Sequence, residues 1–313
     1  MSKKKSSIRF RDLHGIVLLD KPLGQSSNEA LQVVRKGIFR AEKGGHTGAL
    51  DPLATGLLPL CFGEATKIAG MLLGSRKAYI AECRLGVTTA TADLEGEVVQ
   101  QRPVPALTDE AIEQALAKLR GRITQVPPAY SAIKQDGEPL YVKARRGEVV
   151  DVPARQVEIH RLDLLSRGED TLTLHVECGS GTYVRSLAVD LGEDLGCGAH
   201  LTALRRLWVE PFREPAMLTV EHLRDLAAQG DEALLAALLP VSAGLADLPA
   251  IHLDEARSLA VSQGQQIPLD SPIDGQFVVL GEDGRLLALG EDAGGKLRIV
   301  RGFNLPPTGQ DVV

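Results

Sequence analysis

The sequence predicts an α+β protein: a mixed, largely antiparallel sheet flanked by helices, followed by a small C-terminal β-rich module. Three observations carry this. Strand-like and helix-like runs intermingle without the regular βαβ alternation of a doubly wound parallel sheet. Thr171–Glu177 (TLTLHVE) alternates in the manner of a half-buried strand. After Pro249 the chain breaks into short apolar runs separated by turn residues.

Taken in order, residues 1–14 are polar and basic and predict a flexible arm. Gly15–Asp20 (GIVLLD) is a short apolar run suited to a buried strand, ended by Lys21-Pro22-Leu23-Gly24. Ser26 and Ser27 offer N-caps for a helix to about Arg40, with Ala30, Val33, Val34 and Ile38 close to helical spacing. Residues 77–87 (KAYIAECRLGV) alternate imperfectly and predict a strand. Thr108 caps an amphipathic helix. Asp109 and Glu110 suit the positive end of its dipole, and Ile112, Ala115, Leu116 and Leu119 mark its apolar stripe. Gly179 and Gly181 end the 171–177 strand. A second helix follows from about Tyr183 to Leu195, with Val184, Leu187, Ala188, Leu191 and Leu195 on one face and Arg185 and Ser186 off it. An Ala/Leu-rich stretch leads to Pro249, and the domain boundary is placed between 248 and 249. Beyond it Gln276–Leu280, Leu286–Leu289 and Leu297–Val300 predict strands, with turns at Glu282-Asp283-Gly284 and Ala293-Gly294-Gly295.

With 313 residues, 44% hydrophobic and 24% charged, the chain has enough apolar material for one large core and a small one. Its net charge of -6 argues mildly against a nucleic-acid partner, but the distribution changes that. Residues 1–43 carry ten Lys/Arg against four acids, whereas residues 221–313 carry six against fourteen. Local charge is what meets phosphates, so the N-terminal stretch suits RNA. Cys61, Cys83, Cys178 and Cys197 form no CxxC pair, and none has a His at zinc-ligand spacing. That pattern implies neither a disulfide framework nor a zinc site, and suits a reducing, cytoplasmic setting. Ile16–Leu19 is too short for a signal segment, and no run approaches a membrane helix.

The densest chemical signal is Gly44–Leu58, GGHTGALDPLATGLL. Gly44, Gly45 and Gly48 permit an irregular loop, and Pro52 biases Asp51 away from helical geometry. No second carboxylate lies nearby in sequence, so chemistry at Asp51 would be nucleophilic or general-base work. On composition alone an Asp before Pro is more commonly a turn or cap residue.

Five segments in order alter that balance. GHTGALDPLATGLLP with Gly63-Glu64-Ala65-Thr66-Lys67 resembles the nucleophile motif of the TruB family of tRNA pseudouridine synthases. Asp20-Lys21-Pro22 with Gly24, Ser26 and Ser27 resembles that family's DKPxGxTS, and Lys77-Ala78-Tyr79 its KxY. Pro127–Lys134 (PPAYSAIK) with Gly137, Tyr141, Ala144 and Arg145 resembles a further segment, and Gly181–Leu187 (GTYVRSL) the family's GTYIRSL.

The resemblance implies a pseudouridine synthase fold with a C-terminal PUA-like module at 249–313. It implies isomerisation of the uridine at position 55 in the tRNA T-loop by a monomer, without cofactor or metal and without an obligatory protein partner. Asp51 maps to the nucleophile, attacking either ribose C1′ or the base. Arg185 maps to its ionic partner and Tyr79 to the ring stacked on the flipped uracil. His46 maps to the residue that fills the vacated place, and Tyr183 and Leu204 to the base pocket. Lys21 and Lys67 map to contacts with phosphate or the motif backbone, and 125–155 to a mobile segment that clamps RNA. Ala49 and Ser26 stand where many members have Thr, and the acidic tail departs from a strongly RNA-binding module. A guide-RNA-dependent relative of the dyskerin type and a non-catalytic RNA-binding protein are the rival readings.

Overall fold

The computed structural model describes residues 9–306 except 132, 136 and 149. Lys3, Lys4 and Lys5 of the basic arm, and Ala132 and Asp136 of the 125–155 segment, lie outside the described residues. The first nine strands are β1 (Gly15–Lys21), β2 (Gly44–His46), β3 (Ala54–Phe62), β4 (Lys77–Leu85), β5 (Val87–Thr89), β6 (Val98–Gln101), β7 (Gly121–Gln125), β8 (Lys134–Gln135) and β9 (Glu138–Pro139). Then come β10 (Arg155–Arg167), β11 (Thr171–Cys178), β12 (Ala199–Val209), β13 (Ala250–His252), β14 (Gln276–Leu280), β15 (Leu286–Asp292) and β16 (Leu297–Gly302).

An eight-stranded sheet runs β1-β3-β12-β4-β11-β10-β7, with β2 also paired to β3. Every pairing in it is antiparallel except β12 with β3. This is the mixed, largely antiparallel sheet that the sequence predicts. The parallel contact matters for function. It sets Leu204 beside Ala54 and Arg206 beside Gly56, while β4 on the other side of β12 sets Tyr79 beside Arg206. Gly56 has φ of 95°, and a Cβ there would strike the Arg206 backbone, so only glycine lets these strands meet. Alternation along β11 turns Leu172, Leu174, Val176 and Cys178 to one buried side. The same core takes Ile112, Ala115 and Leu116 from the helix Asp109–Lys118, and Val184, Leu187 and Leu191 from the helix Val184–Asp194.

The structure departs from the sequence reading at three places. The helix expected to reach Arg40 is α-helical only over Ser27–Gln32 and continues as a π-helix over Val33–Phe39. The wider turn brings Val34, Ile38 and Phe39 into the core together. Ser26 caps this helix in a reciprocal capping box with Glu29. The strand expected over 77–87 stops at Leu85, because Gly86 at φ 82° turns the chain into the β5–β6 hairpin. The arm expected over 1–14 is docked from Arg11 onward. Arg11 pairs with Asp231 at 2.9 Å, its N–H donates to the Arg40 carbonyl, and Leu13 is buried.

The C-terminal module is a four-stranded sheet, β13-β14-β15-β16, with the helix Glu255–Ser262. Strand periodicity divides its apolar residues between two cores. Phe277 and Val279 pack with Leu297 inside the module. Val278, Leu286 and Leu289 instead join Ile16, Leu57, Ile68 and Leu72 of the large domain. Among the described residues no helix is long and apolar enough to cross a membrane.

Candidate active site

Asp51 occupies the irregular link between β2 and β3, as its glycines and Pro52 predict. Ser27 clasps this loop: the Leu50 N–H donates to Ser27 Oγ at 2.7 Å, and the hydroxyl donates back to the Leu50 carbonyl at 3.1 Å. The Gly24 N–H donates to the Pro52 carbonyl at 2.8 Å. The Asp20–Ser27 motif thus holds both flanks of Asp51. Gly48 turns the loop at φ 72°, and a Cβ there would press on Arg206 Nη1 at 3.3 Å.

A cleft opens beside the loop and is lined in part by Asp51, Tyr79, Tyr183, Arg185, Leu204 and Arg206. Arg185 comes from the N-terminal turn of the helix Val184–Asp194. It lies off the apolar stripe but is buried, because that side of the helix faces the cleft rather than solvent. Its Nη2 lies 2.9 Å from Asp51 Oδ2 and donates to the Tyr130 carbonyl at 2.9 Å. Its Nη1 donates to the Thr91 carbonyl at 3.1 Å and lies 3.4 Å from Asp93 Oδ2. One guanidinium therefore serves two carboxylates. Asp93 is itself buried and accepts from the Thr91 hydroxyl at 2.5 Å and the Glu95 N–H at 3.1 Å. Asp51 keeps 42% of its side-chain surface open to the cleft while protein crowds it from behind. That crowding raises its carboxyl pKa, Arg185 pulls it back, and the charge of Asp93 raises it further.

Tyr79 is buried in the centre of the sheet, beside its register partner Arg206, whose charge reaches its phenol. Burial pushes its phenol up to about 12, so it is neutral at ordinary pH. Tyr183 is fixed through its backbone by Gln125, whose carboxamide accepts the Tyr183 N–H at 2.8 Å and donates to its carbonyl at 3.1 Å. The Arg155 guanidinium lies 5.0 Å from the Tyr183 ring centre. Leu204, between Ala54 and Ala81, supplies an apolar wall.

Models of the TruB family pseudouridylate synthase N-terminal domain and the tRNA pseudouridylate synthase B C-terminal domain match residues 36–184 and 185–246. A protein of Xanthomonas campestris pv. campestris (strain B100), called tRNA pseudouridine synthase B, is 58% identical over 298 residues, covering 95% of this chain and 96% of the relative. The chain belongs to the TruB family. A protein of the same name from Pseudomonas fluorescens (strain Pf0-1) is 50% identical, over 90% of this chain and 92% of its own. Two solved structures share the fold. One, a Cbf5-Nop10-Gar1 complex, has a TM-score of 0.72 at 24% identity, with 96% of this chain and 88% of the other covered. The other, an H/ACA RNP bound to a substrate RNA containing 2′-deoxyuridine, has a TM-score of 0.72 at 22% identity, with 98% and 95% covered.

Of the residues singled out on TruB resemblance, Asp51, Tyr79, Tyr183, Arg185 and Leu204 meet in the cleft. His46 sits half-buried on β2, outside the cleft lining, with Nδ1 buried and unbonded. Burial, with the charge of Arg206 adding to it, lowers its pKa. Lys21 is fully buried, so it does not present itself to a phosphate. Its Nζ donates to the Pro22 and Gln25 carbonyls at 2.8 and 2.5 Å and braces the turn before Ser27. Lys67 lies away from the cleft. It pairs with Glu64 at 2.5 Å and donates to the Gly302 carbonyl at 2.9 Å, tying the large domain to the C-terminal module. Asp93, Gln125 and Arg206 were not legible as site residues. Only Arg206 left a signal, as a charged residue within an otherwise sheet-forming run, Ala199–Val209.

Proposed function

We propose that this chain is a tRNA pseudouridine synthase acting on the uridine at position 55 of the T-loop. The observation that carries this is the Asp51–Arg185 ion pair at 2.9 Å, in one cleft with Tyr79. The target base is flipped out of its folded loop at a cost of a few kcal/mol. His46 fills the vacated place, Tyr79 stacks on the uracil, and Tyr183 and Leu204 bound the pocket. Stacking of this kind contributes roughly 1–3 kcal/mol. Arg185 favours the ionised form of Asp51, which attacks ribose C1′ or the base. The C1′–N1 bond breaks, the base turns, and C5 takes the place of N1. Residues 15–248 form the catalytic domain, 125–155 clamp the RNA, and 249–313 act as a PUA-like module. The chain works in the cytoplasm as a monomer without cofactor or obligatory protein partner.

Mapping pseudouridine in tRNA incubated with purified wild type and with Asp51→Asn tests this. Wild type alone should modify the T-loop uridine, and Asp51→Asn should bind tRNA within a few-fold and form no product. Product from Asp51→Asn at the normal rate would remove the nucleophile assignment. The fold shared with Cbf5, seen in complexes with Nop10 and Gar1, supports a second reading in which partners or guide RNA are required. Wild type inactive on bare tRNA would favour it.

A further inference from the structure

Arg206 is among the largest fully buried side chains, yet it lines the cleft. Its Nε donates to the Leu57 carbonyl at 2.6 Å and its Nη2 to the Gly48 carbonyl at 3.1 Å, and Tyr79 is its register partner on β4. All of these partners are neutral, and Arg206 forms no ion pair among the described residues. Lys77 lines the same cleft, is 7% exposed, and likewise forms no ion pair among the described residues. Its Nζ donates to the Leu73 and Ser75 carbonyls at 2.9 and 2.6 Å. The two cations sense one another: burial first, then Arg206, pushes the Lys77 ammonium down to about 8. Burying like charges together without a counter-ion is unfavourable, and neutral carbonyls offset only part of the cost. Asp51, the carboxylate in the cleft lining, pairs with Arg185, and Glu210, the acid whose charge reaches Lys77, is engaged by the Arg76 N–H and the Arg213 guanidinium.

We infer that Arg206, with Lys77 beside it, is a positioning and charge-stabilising element for the negative charge that develops on the detached base. This rests on reading the cleft as a uridine site. Breaking C1′–N1 leaves the bonding electron pair on uracil, spread over N1 and its carbonyl oxygens. If Asp51 instead adds to the ring, the charge leaving its carboxylate again passes to the base. On either route a carboxylate becomes an ester and the base becomes anionic. The pair returns in the new C5–C1′ bond as the Asp51 ester bond breaks and frees the carboxylate, C5 loses its proton and N1 takes one up, so atoms and electrons balance without a co-reactant. Arg206 acts through its field, which is strong because the guanidinium is fully buried beside Tyr79.

The test measures single-turnover pseudouridine formation, tRNA affinity and Tm for the full chain and for Arg206→Met, Arg206→Lys and Lys77→Met. Removing one preorganised charge of this kind should slow the reaction about 10²–10³-fold in Arg206→Met, with tRNA affinity within a few-fold. Arg206→Lys should recover at least about tenfold of that loss, and Lys77→Met should slow the reaction about tenfold or more. Equal rates for the Lys and Met variants at position 206 would reduce Arg206 to a neutral brace and overturn the inference. So would a wild-type rate in Lys77→Met, which alone decides the matter if Arg206→Met does not fold. Wild type without pseudouridine formation would instead remove the functional reading beneath it.

Discussion

At the scale of residues, Arg185 lies between the carboxylates of Asp51 and Asp93. Crowding and the charge of Asp93 raise the Asp51 pKa above its ordinary value of 3.8. Only the deprotonated carboxylate is a nucleophile, so activity should fall, as pH is lowered, earlier than for an unperturbed Asp. Asp93→Asn removes a like charge and leaves Arg185 to Asp51 alone. Both effects lower the Asp51 pKa, so the acid limb of the single-turnover rate should move to lower pH. A limb that stays in place or moves upward would refute this electrostatic assignment. Asp51, Tyr79 and Arg185 were legible because each stands in a motif. Asp93 was not, because its role depends on a turn that brings a distant Thr-Ala-Asp stretch against a helix. Lys67 shows the converse: it sits within a matching motif yet is engaged at a domain contact.

Among the elements, the segment between β7 and β10 has the most direct hold on the site. Gln125 and Arg155 are register partners at its two roots, and both grip Tyr183. The Ser186 hydroxyl donates to the Val126 carbonyl at 2.8 Å, and Arg185 to the Tyr130 carbonyl. The entering end of this segment, Gln125 to Tyr130, is thus tied to three residues at the start of one helix. Gln125→Ala removes the partner of the part-buried Tyr183 N–H, at a cost of about 1–3 kcal/mol at most, while the Tyr183 carbonyl keeps the Leu187 N–H at 3.2 Å. It should lower Tm and reduce kcat/KM for tRNA, as thermal melting and steady-state rates will report. Unchanged values for both would show that the roots do not position Tyr183. The strands and amphipathic helices were legible from periodicity. The π-helix over Val33–Phe39 was not, because it is a product of packing on the sheet rather than of local preference.

Across the whole molecule, the acidic C-terminal module shares a core with the basic N-terminal half. Val278, Leu286 and Leu289 cover Ile16, Leu57, Ile68 and Leu72, and Lys67, Glu64 and Asn304 close the seam. Each large apolar side chain uncovered forfeits up to about 1.5–3 kcal/mol. Deleting residues 249–313 should therefore lower Tm sharply and promote aggregation, measured by melting and light scattering. A truncated chain as stable as the full one would mean that the seam contributes little. The module's strands were legible, but its attachment was not, since alternation in β14 reveals two faces without naming what covers the second. The shared core also bears on biosynthesis. β1 is translated well before β14 and β15, the strands that share its outer core. A nascent chain can assemble its large sheet early but carries an uncovered apolar strip until β14 and β15 emerge, which makes that interval a point of exposure to misassociation.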